Sequence, residues 1–292
     1  MTDTKRTLRV RHVIGVTLRL LLGVIFVVSA AAKLFSVDQF ELYIYSYGFL
    51  PLNLSFLLAR LCIGAELVLG ILLVTGWLRQ LTLTVSALLL LAFSLFLGYA
   101  ALAGRTDSCQ CFGQLADMPP TLSLVKNAVL LLLTLLCTKL SSTCHPRRWH
   151  CWAAVALVLI GFATPFIISV PDNWMFGPSA ERYDDEVLRQ VLDQMPPEKN
   201  IRTGGKVVAF VTPGCPYCRM TRQKLDYMAT RHNIASGKII YVEPSDISAD
   251  TFLRTTRGAT PLVLLLDDGQ VRATFHYRNI EERKIVRTLT SR

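Results

Sequence analysis

Two closely spaced cysteine pairs, Cys109-Gln110-Cys111 and Cys215-Pro216-Tyr217-Cys218, are the residues of this chain best suited to chemistry. Thiol-disulfide exchange runs by thiolate attack through a mixed disulfide, and a second thiol a few residues away resolves that intermediate. Two such pairs allow electron pairs to pass from one dithiol to the other. Cys215 leaves a strand-like run and opens a helix-like one. There the unpaired N–H groups and the helix dipole favour a thiolate, and Pro216 suits the first helical turn. Cys215 is therefore the expected nucleophile and Cys218 the resolving thiol. A structural zinc site needs four ligands, and no second pair follows this motif, so no metal is expected. A Cys109–Cys111 disulfide would be strained and correspondingly oxidising. Cys62 and Cys137 fall in apolar helical runs and read as packing residues.

The elements that must position these cysteines are of two kinds. With 292 residues, 52% of them hydrophobic, the chain is too apolar for an ordinary soluble protein. The excess lies in five stretches, roughly 13–35, 52–75, 79–103, 122–140 and 151–170, each near the ~20 residues that cross a bilayer as a helix. The first is too long for a signal peptide and lacks a small-residue cleavage site, so it reads as a retained membrane helix. Simple alternation of the helices puts the basic N-terminus, Arg79, Lys139, Arg147 and Arg148 on one side, the cytoplasmic one. The loops on the other side carry Asp38, Glu41, Asp107 and Asp117. The Cys109 loop and everything after the fifth helix are then expected outside the cytoplasm. Net charge is +10, but much of the surplus is these flanking cations and no basic run occurs in the later part, so nucleic acid is not an expected partner.

From Glu181 onward helices and strands alternate. Arg182–Met195 reads as a helix, Lys206–Thr212 as a strand, Pro216–Arg231 as a helix, Lys238–Val242 as a strand and Ser248–Thr255 as a short helix. Leu262–Leu266 and Gln270–Tyr277 form a hairpin about Asp267-Asp268-Gly269, and Glu281–Thr288 closes as a helix. With Thr212-Pro213-Gly214-Cys215-Pro216-Tyr217-Cys218 between strand and helix, and Thr260-Pro261 before a strand, this region resembles the thioredoxin superfamily. The resemblance implies an α/β thioredoxin-like fold, a cis peptide at Pro261, and supporting roles for Pro216, Tyr217, Thr260 and Pro261. Pro216-Tyr217 is the dipeptide typical of glutaredoxins, although no Gly-Gly-Asp segment for glutathione follows Pro261. Ala209 stands where thioredoxins bury an acidic residue.

The first four apolar stretches resemble the methylamine-utilisation MauE branch of the DoxX family. The likeness rests on Arg19-Leu20-Leu21-Leu22-Gly23, Lys33-Leu34-Phe35, Glu66-Leu67-Val68-Leu69-Gly70, Thr75-Gly76, Cys109-Gln110-Cys111-Phe112-Gly113 and Lys126-Asn127. It implies a redox role in the cell envelope, since that family is implicated in making or maintaining the disulfides of a periplasmic amine dehydrogenase. The layout of helix bundle, fifth helix and thioredoxin-like domain is also similar to bacterial vitamin K epoxide reductase fusions in architecture alone.

Charges inside a membrane are costly and are usually paired or functional. Counted from the same ends of their helices, Arg19 and Glu66 lie within about a turn of equal depth, so they are expected to pair. The pair reads as a structural bridge or as a site for a proton or a quinone head group. Lys33, Arg60 and Lys126 fall in outer halves, where they can snorkel or form a positive rim near Cys109 and Cys111.

The expected fold class is thus a membrane α-helical bundle, a four-helix DoxX/MauE-like core plus a fifth helix, with a C-terminal α/β thioredoxin-like domain. The expected boundaries are 1–140 for the four-helix domain, 141–180 for cytoplasmic loop, fifth helix and linker, and 181–292 for the thioredoxin-like domain. The expected location is a bacterial inner membrane, with N-terminus cytoplasmic and the C-terminal domain periplasmic. Expected partners are the lipid bilayer, envelope proteins with cysteine pairs and a quinone at the membrane domain, with no cofactor bound in the soluble domain. The expected activity is thiol:disulfide exchange between Cys215/Cys218 and Cys109/Cys111 in support of disulfide formation. Reductive flow through the same residues, or an assembly factor without redox turnover, are the alternatives.

Overall fold

A computed structural model describes residues 2–104, 119–140, 148–169, 185–195, 199 and 201–290. The chain divides into two compact units, Met1–Tyr43 with Phe56–Ser169 and Ile44–Ser55 with Val170–Arg292.

The first unit is helical. Its elements are α1 (Thr2–Leu34), α2 (Val37–Tyr45), α3 (Leu52–Thr75), α4 (Arg79–Leu102), α5 (Pro120–Leu140) and α6 (Arg148–Ile168). Five of these are long and apolar enough to cross a membrane: Val10–Leu34, Leu52–Thr75, Arg79–Leu102, Pro120–Leu140 and Trp149–Ile168. Their outward side chains are apolar, Leu95, Leu132 and Ile160 among them, as lipid contact requires. α2 is a helix the sequence reading took for loop. It places Asp38 and Glu41 on a helix rather than in an open connection, and Glu41 is buried.

Glycines set the register of the bundle, because small residues let transmembrane backbones approach. A Cβ on Gly23 would lie 2.9 Å from the Val74 backbone nitrogen, and one on Gly70 would lie 2.8 Å from that of Val27. α1 and α3 therefore touch backbone to backbone. On the other side of α3, a Cβ on Gly64 would meet the Phe162 Cα at 3.1 Å, so α6 approaches just as closely. α4 packs on α5, and α5 on α1. Leu22, Phe26, Leu69, Leu73, Leu83, Leu90 and Leu130 fill the space between them.

In the second unit, α7 (Asp185–Gln194) precedes β1 (Gly205–Phe210), α8 (Pro216–Arg231), β2 (Ile239–Val242) and α9 (Ala249–Thr256). β3 (Leu262–Asp267), β4 (Gln270–His276) and α10 (Glu282–Thr290) complete it. The strand order is β2-β1-β3-β4, with β1 parallel to β2 and antiparallel to β3, and β3–β4 a hairpin. Asp268 and Gly269, at φ 48° and 75°, make its two-residue turn. Alternation along each strand divides the core. Val207, Ala209, Val263 and Leu265 face Leu225 and Met228 of α8 and Ile285 and Leu289 of α10. Val208, Phe210, Leu264 and Leu266 face Leu188 and Val191 of α7 and Phe252 of α9. Each fully buried side chain of this size contributes about 1.5–3 kcal/mol. The C-terminal elements match the sequence reading to within a residue or two at most ends, and the result is a thioredoxin-like domain.

Ile44–Ser55 belongs to this unit through Glu282, which the sequence reading passed over. Its buried carboxylate accepts from the Tyr45 hydroxyl at 3.2 Å, the Leu52 N–H at 2.6 Å and, within 2.9 Å, faces His232 Nε2. Burial, and then the Glu282 charge beside it, push the Tyr45 phenol well above its ordinary pKa.

Candidate active site and buried charge pairs

β1 and α8 deliver the cysteine motif. β1 is fully buried from Val207 to Phe210, and Val211 extends its pairing through an N–H bond to the Val242 carbonyl at 3.0 Å. The chain then turns at Gly214, whose φ of 78° suits a residue without Cβ. Cys215, at φ −77° and ψ 116°, is the N-cap of α8, with Pro216 behind it in the first turn. An N-cap side chain normally offers oxygen to the exposed N–H groups of the first turn. Here the acceptor is sulfur: the Cys218 N–H donates to Cys215 Sγ at 3.2 Å.

That placement separates the two thiols. Cys215 is half-buried, whereas Cys218 is 3% exposed and packs in the core with Ala209 and Leu225. Burial acts to raise the Cys215 pKa. Hydrogen bonds from the Cys218 side chain and N–H, the Thr212 hydroxyl and the Tyr217 N–H outweigh it and hold the thiol below its ordinary value. For Cys218, burial and then the bond to the Cys215 sulfur push the pKa up. The geometry favours a Cys215 thiolate with Cys218 protonated behind it.

Thr212 is the residue the sequence reading quoted without giving it a role. Its Oγ1 lies 3.7 Å from Cys218 Sγ and 3.0 Å from Thr260 Oγ1, tying the cysteine turn to the Thr260–Pro261 segment. That peptide is cis and Pro261 is buried. Tyr217 is 45% exposed, and its ring leans on Tyr277 with centroids 5.2 Å apart. Tyr277 in turn bonds Met220 Sδ at 3.5 Å and lies 4.3 Å below the buried Lys224 ammonium. Only tertiary packing could identify Tyr277 and Lys224, which carry no motif.

Cys109 and Cys111 lie outside the described residues, as does Cys144. Cys137 is buried in α5 with its thiol 3.5 Å from the Gly15 carbonyl, a packing contact. Cys62 is partly buried on α3, and Cys151 is exposed on α6. Lys126 is half-buried on α5.

The membrane charges pair differently from expectation. Glu66 does not meet Arg19; it accepts from Lys33 Nζ at 2.6 and 2.7 Å and from the Ser29 hydroxyl at 3.3 Å. Counting depth from helix ends assumed that α1 and α3 start level. The Gly23–Gly70 contact instead brings Val27 beside Gly70 and Arg19 beside Gly76. Lys33 then falls opposite Glu66.

Nor do Lys33 and Arg60 snorkel. Lys33 is 3% exposed, within 5.6 Å of the Phe40 and Phe93 ring centroids. Arg60 is fully buried, bonded to Glu41 Oε2 at 3.3 Å, to the Phe56 carbonyl at 3.1 Å, and to the Ser169 carbonyl and hydroxyl at 3.2 Å each. It joins α2, α3 and the end of α6. Burying an ion is tolerable only with pairing of this kind.

Residues 11–140 match the family of methylamine utilisation protein MauE. Protein TlpB of Flavobacterium psychrophilum is 27% identical over 291 aligned positions, covering 82% of this chain and 79% of that protein. No solved structure matches significantly. The protein is a membrane protein with five candidate spanning helices among its described residues, and the segment that matches the MauE family, residues 11–140, is followed in the same chain by a thioredoxin-like domain.

Proposed function

We propose that the chain is an integral membrane thiol:disulfide oxidoreductase that supports disulfide formation in envelope proteins. The observation that carries this reading is the Cys215 sulfur at the N-terminus of α8, held by the Cys218 N–H at 3.2 Å with Cys218 buried behind it. In the oxidative direction a client thiolate attacks the Cys215–Cys218 disulfide at Cys215 and forms a mixed disulfide. The client's second thiolate then displaces Cys215, leaving an oxidised client and a reduced Cys215/Cys218 pair. Cys215 next attacks a Cys109–Cys111 disulfide and Cys218 resolves that bond. The two electrons and two protons now held by Cys109 and Cys111 pass to a quinone. The proposed setting is a bacterial inner membrane, with the N-terminus in the cytoplasm and both cysteine pairs on the periplasmic face, as the distribution of Arg79, Lys139 and the N-terminal cations suggests. The similarity to a protein named TlpB is in keeping with envelope thiol chemistry.

Trapping tests the reading. Cys218→Ala in cells accumulates mixed disulfides through Cys215, and Cys215→Ala abolishes them. In Cys218→Ala/Cys109→Ala, Cys215 forms an intrachain bond to Cys111, visible on non-reducing gels. Absence of that bond, while both pairs remain redox-active, sinks the relay. The redox state of Cys215/Cys218 in growing cells fixes direction: mostly disulfide for oxidation, mostly dithiol for the reductive alternative. The MauE match over residues 11–140 favours a second reading, a maturation factor that holds its client without net turnover. Purified protein that fails to oxidise or reduce a model dithiol peptide, with or without quinone, would support that instead.

A further inference from the structure

Phe210, Leu262 and His276 stand side by side as the last paired residues at one end of the sheet. Beyond them the chain runs on from β1 into the cysteine turn, enters β3 from Thr260–Pro261 and leaves β4 at Tyr277. The topology therefore brings Tyr277 to the sheet end that carries Cys215.

Three residues of α8 meet Tyr277 there. Tyr217, Met220 and Lys224 recur at i, i+3 and i+7, so they share one face of the helix. The Tyr277 ring centroid lies 5.2 Å from that of Tyr217 and 4.3 Å from the Lys224 ammonium, and the Tyr277 hydroxyl donates to Met220 Sδ at 3.5 Å. Ring pairs and cation–ring contacts at these distances are attractive. Tyr277, Met220 and Lys224 are buried, whereas Tyr217 is exposed. A ring fixed in the core thus holds a ring on the surface.

Tyr217 matters to the sulfur through its backbone. The opening N–H groups of a helix have no intrahelical acceptor, and helix ends fray. In α8 two of them, from Tyr217 and Cys218, donate to Cys215 Sγ and favour its thiolate. Pro213, Gly214 and Pro216, the other residues of this turn, are exposed. The contact with Tyr277 anchors the residue between the two cysteines where the helix backbone supports itself least.

We propose that Tyr277 is a positioning residue for Cys215: its ring holds the ring of Tyr217 and thereby keeps the Tyr217 N–H aimed at the sulfur. The inference rests on Cys215 being the attacking thiol of the exchange proposed above. Tyr277 acts on that thiol only through Tyr217.

The experiment uses the reduced full chain in detergent. It follows alkylation of Cys215 by iodoacetamide across a pH series, with thermal unfolding alongside. Tyr277→Leu is expected to displace the Cys215 profile upward, leaving roughly three- to tenfold less thiolate at any pH below the transition. Tyr277→Phe, which keeps the ring, is expected to keep the wild-type profile. Tyr217→Ala keeps the backbone N–H and removes only the ring. It is expected to match Tyr277→Leu, with the double variant going no further, and it serves if Tyr277→Leu does not fold. Leu188→Ala, in the core on the other side of the sheet, is expected to lower the unfolding midpoint and leave the profile in place. A wild-type profile in Tyr277→Leu or in Tyr217→Ala makes the contact structural only and overturns the proposal. An equal displacement in Leu188→Ala or in Tyr277→Phe also overturns it, as does a double variant displaced by the sum of the single ones. Alkylation needs no client, quinone or second cysteine pair. A wild type that does not turn over a dithiol peptide therefore fails the exchange reading, whereas an unmoved profile fails this one.

Discussion

The Lys33 ammonium sits between both carboxylate oxygens of Glu66, at 2.6 and 2.7 Å, and also donates to the Ser29 hydroxyl at 3.1 Å. All three polar groups are buried in the helical unit. Removing one member of a buried pair strands the other charge, whereas replacing both with apolar groups of similar volume is often neutral. Lys33→Met is therefore expected to destabilise the protein by about 3–5 kcal/mol, and Lys33→Met/Glu66→Leu to recover most of the loss. Thermal unfolding in detergent reads both. A double variant as unstable as the sum of the two single ones would show that the pair is not the coupled unit described.

The close approach at Gly70 gives a second expectation. A Cβ there would lie 2.8 Å from the Val27 nitrogen, a backbone atom that cannot swing aside. Gly70→Ala should cost about 1–3 kcal/mol by overpacking. Gly98 in α4 has nothing within 4 Å of its would-be Cβ, and Gly98→Ala should be neutral or stabilising by up to about 1 kcal/mol. Equal midpoints for the two variants would mean that the α1–α3 contact does not set the register.

The two thiols of the motif should titrate apart. Thiolates alkylate and thiols do not, so the pH at which iodoacetamide reactivity rises reports each group. Cys215 is held below the ordinary thiol value and Cys218 above it. On lowering the pH, Cys215 in the reduced protein keeps its reactivity after a free cysteine has lost it. Cys218 in the same reduced protein becomes reactive only above the free-cysteine range. Mass spectrometry of alkylated peptides across the pH series checks both, and coincident profiles would remove the asymmetry.

Thr212 should matter through the same groups. Its hydroxyl helps hold Cys215 below its ordinary pKa and bonds Thr260 at 3.0 Å. Thr212→Val keeps the shape and loses the hydroxyl. The expected result is a Cys215 profile displaced upward and alkylation near neutral pH slowed by several-fold, for loss of a bond worth about 0.5–1.5 kcal/mol. Thr212→Ser restores the wild-type profile if the hydroxyl is the cause. An unchanged profile in Thr212→Val would make the residue a spacer only.

What the sequence determined by itself was local. Five apolar runs of spanning length, the strand-to-helix break at Cys215, the Asp268-Gly269 turn and Thr260-Pro261 each carry their signal within a few residues, and the structure has the corresponding elements at those places. Period-two and helical patterns likewise told which strands and helices would form, because burial on one face is written along the element itself. The partners of charged residues were different. Arg19 and Lys33 lie on one helix and either could meet Glu66 by type and approximate depth. The choice was made by backbone contact at Gly23 and Gly70, which slides α3 against α1 until Lys33 is opposite. Arg60 found Glu41 because residues 37–45 form a helix instead of a loop, and Glu282 found Tyr45 and Leu52 across more than two hundred residues of chain. Helix register and long-range packing depend on three-dimensional shape, and no spacing along the chain encodes them directly.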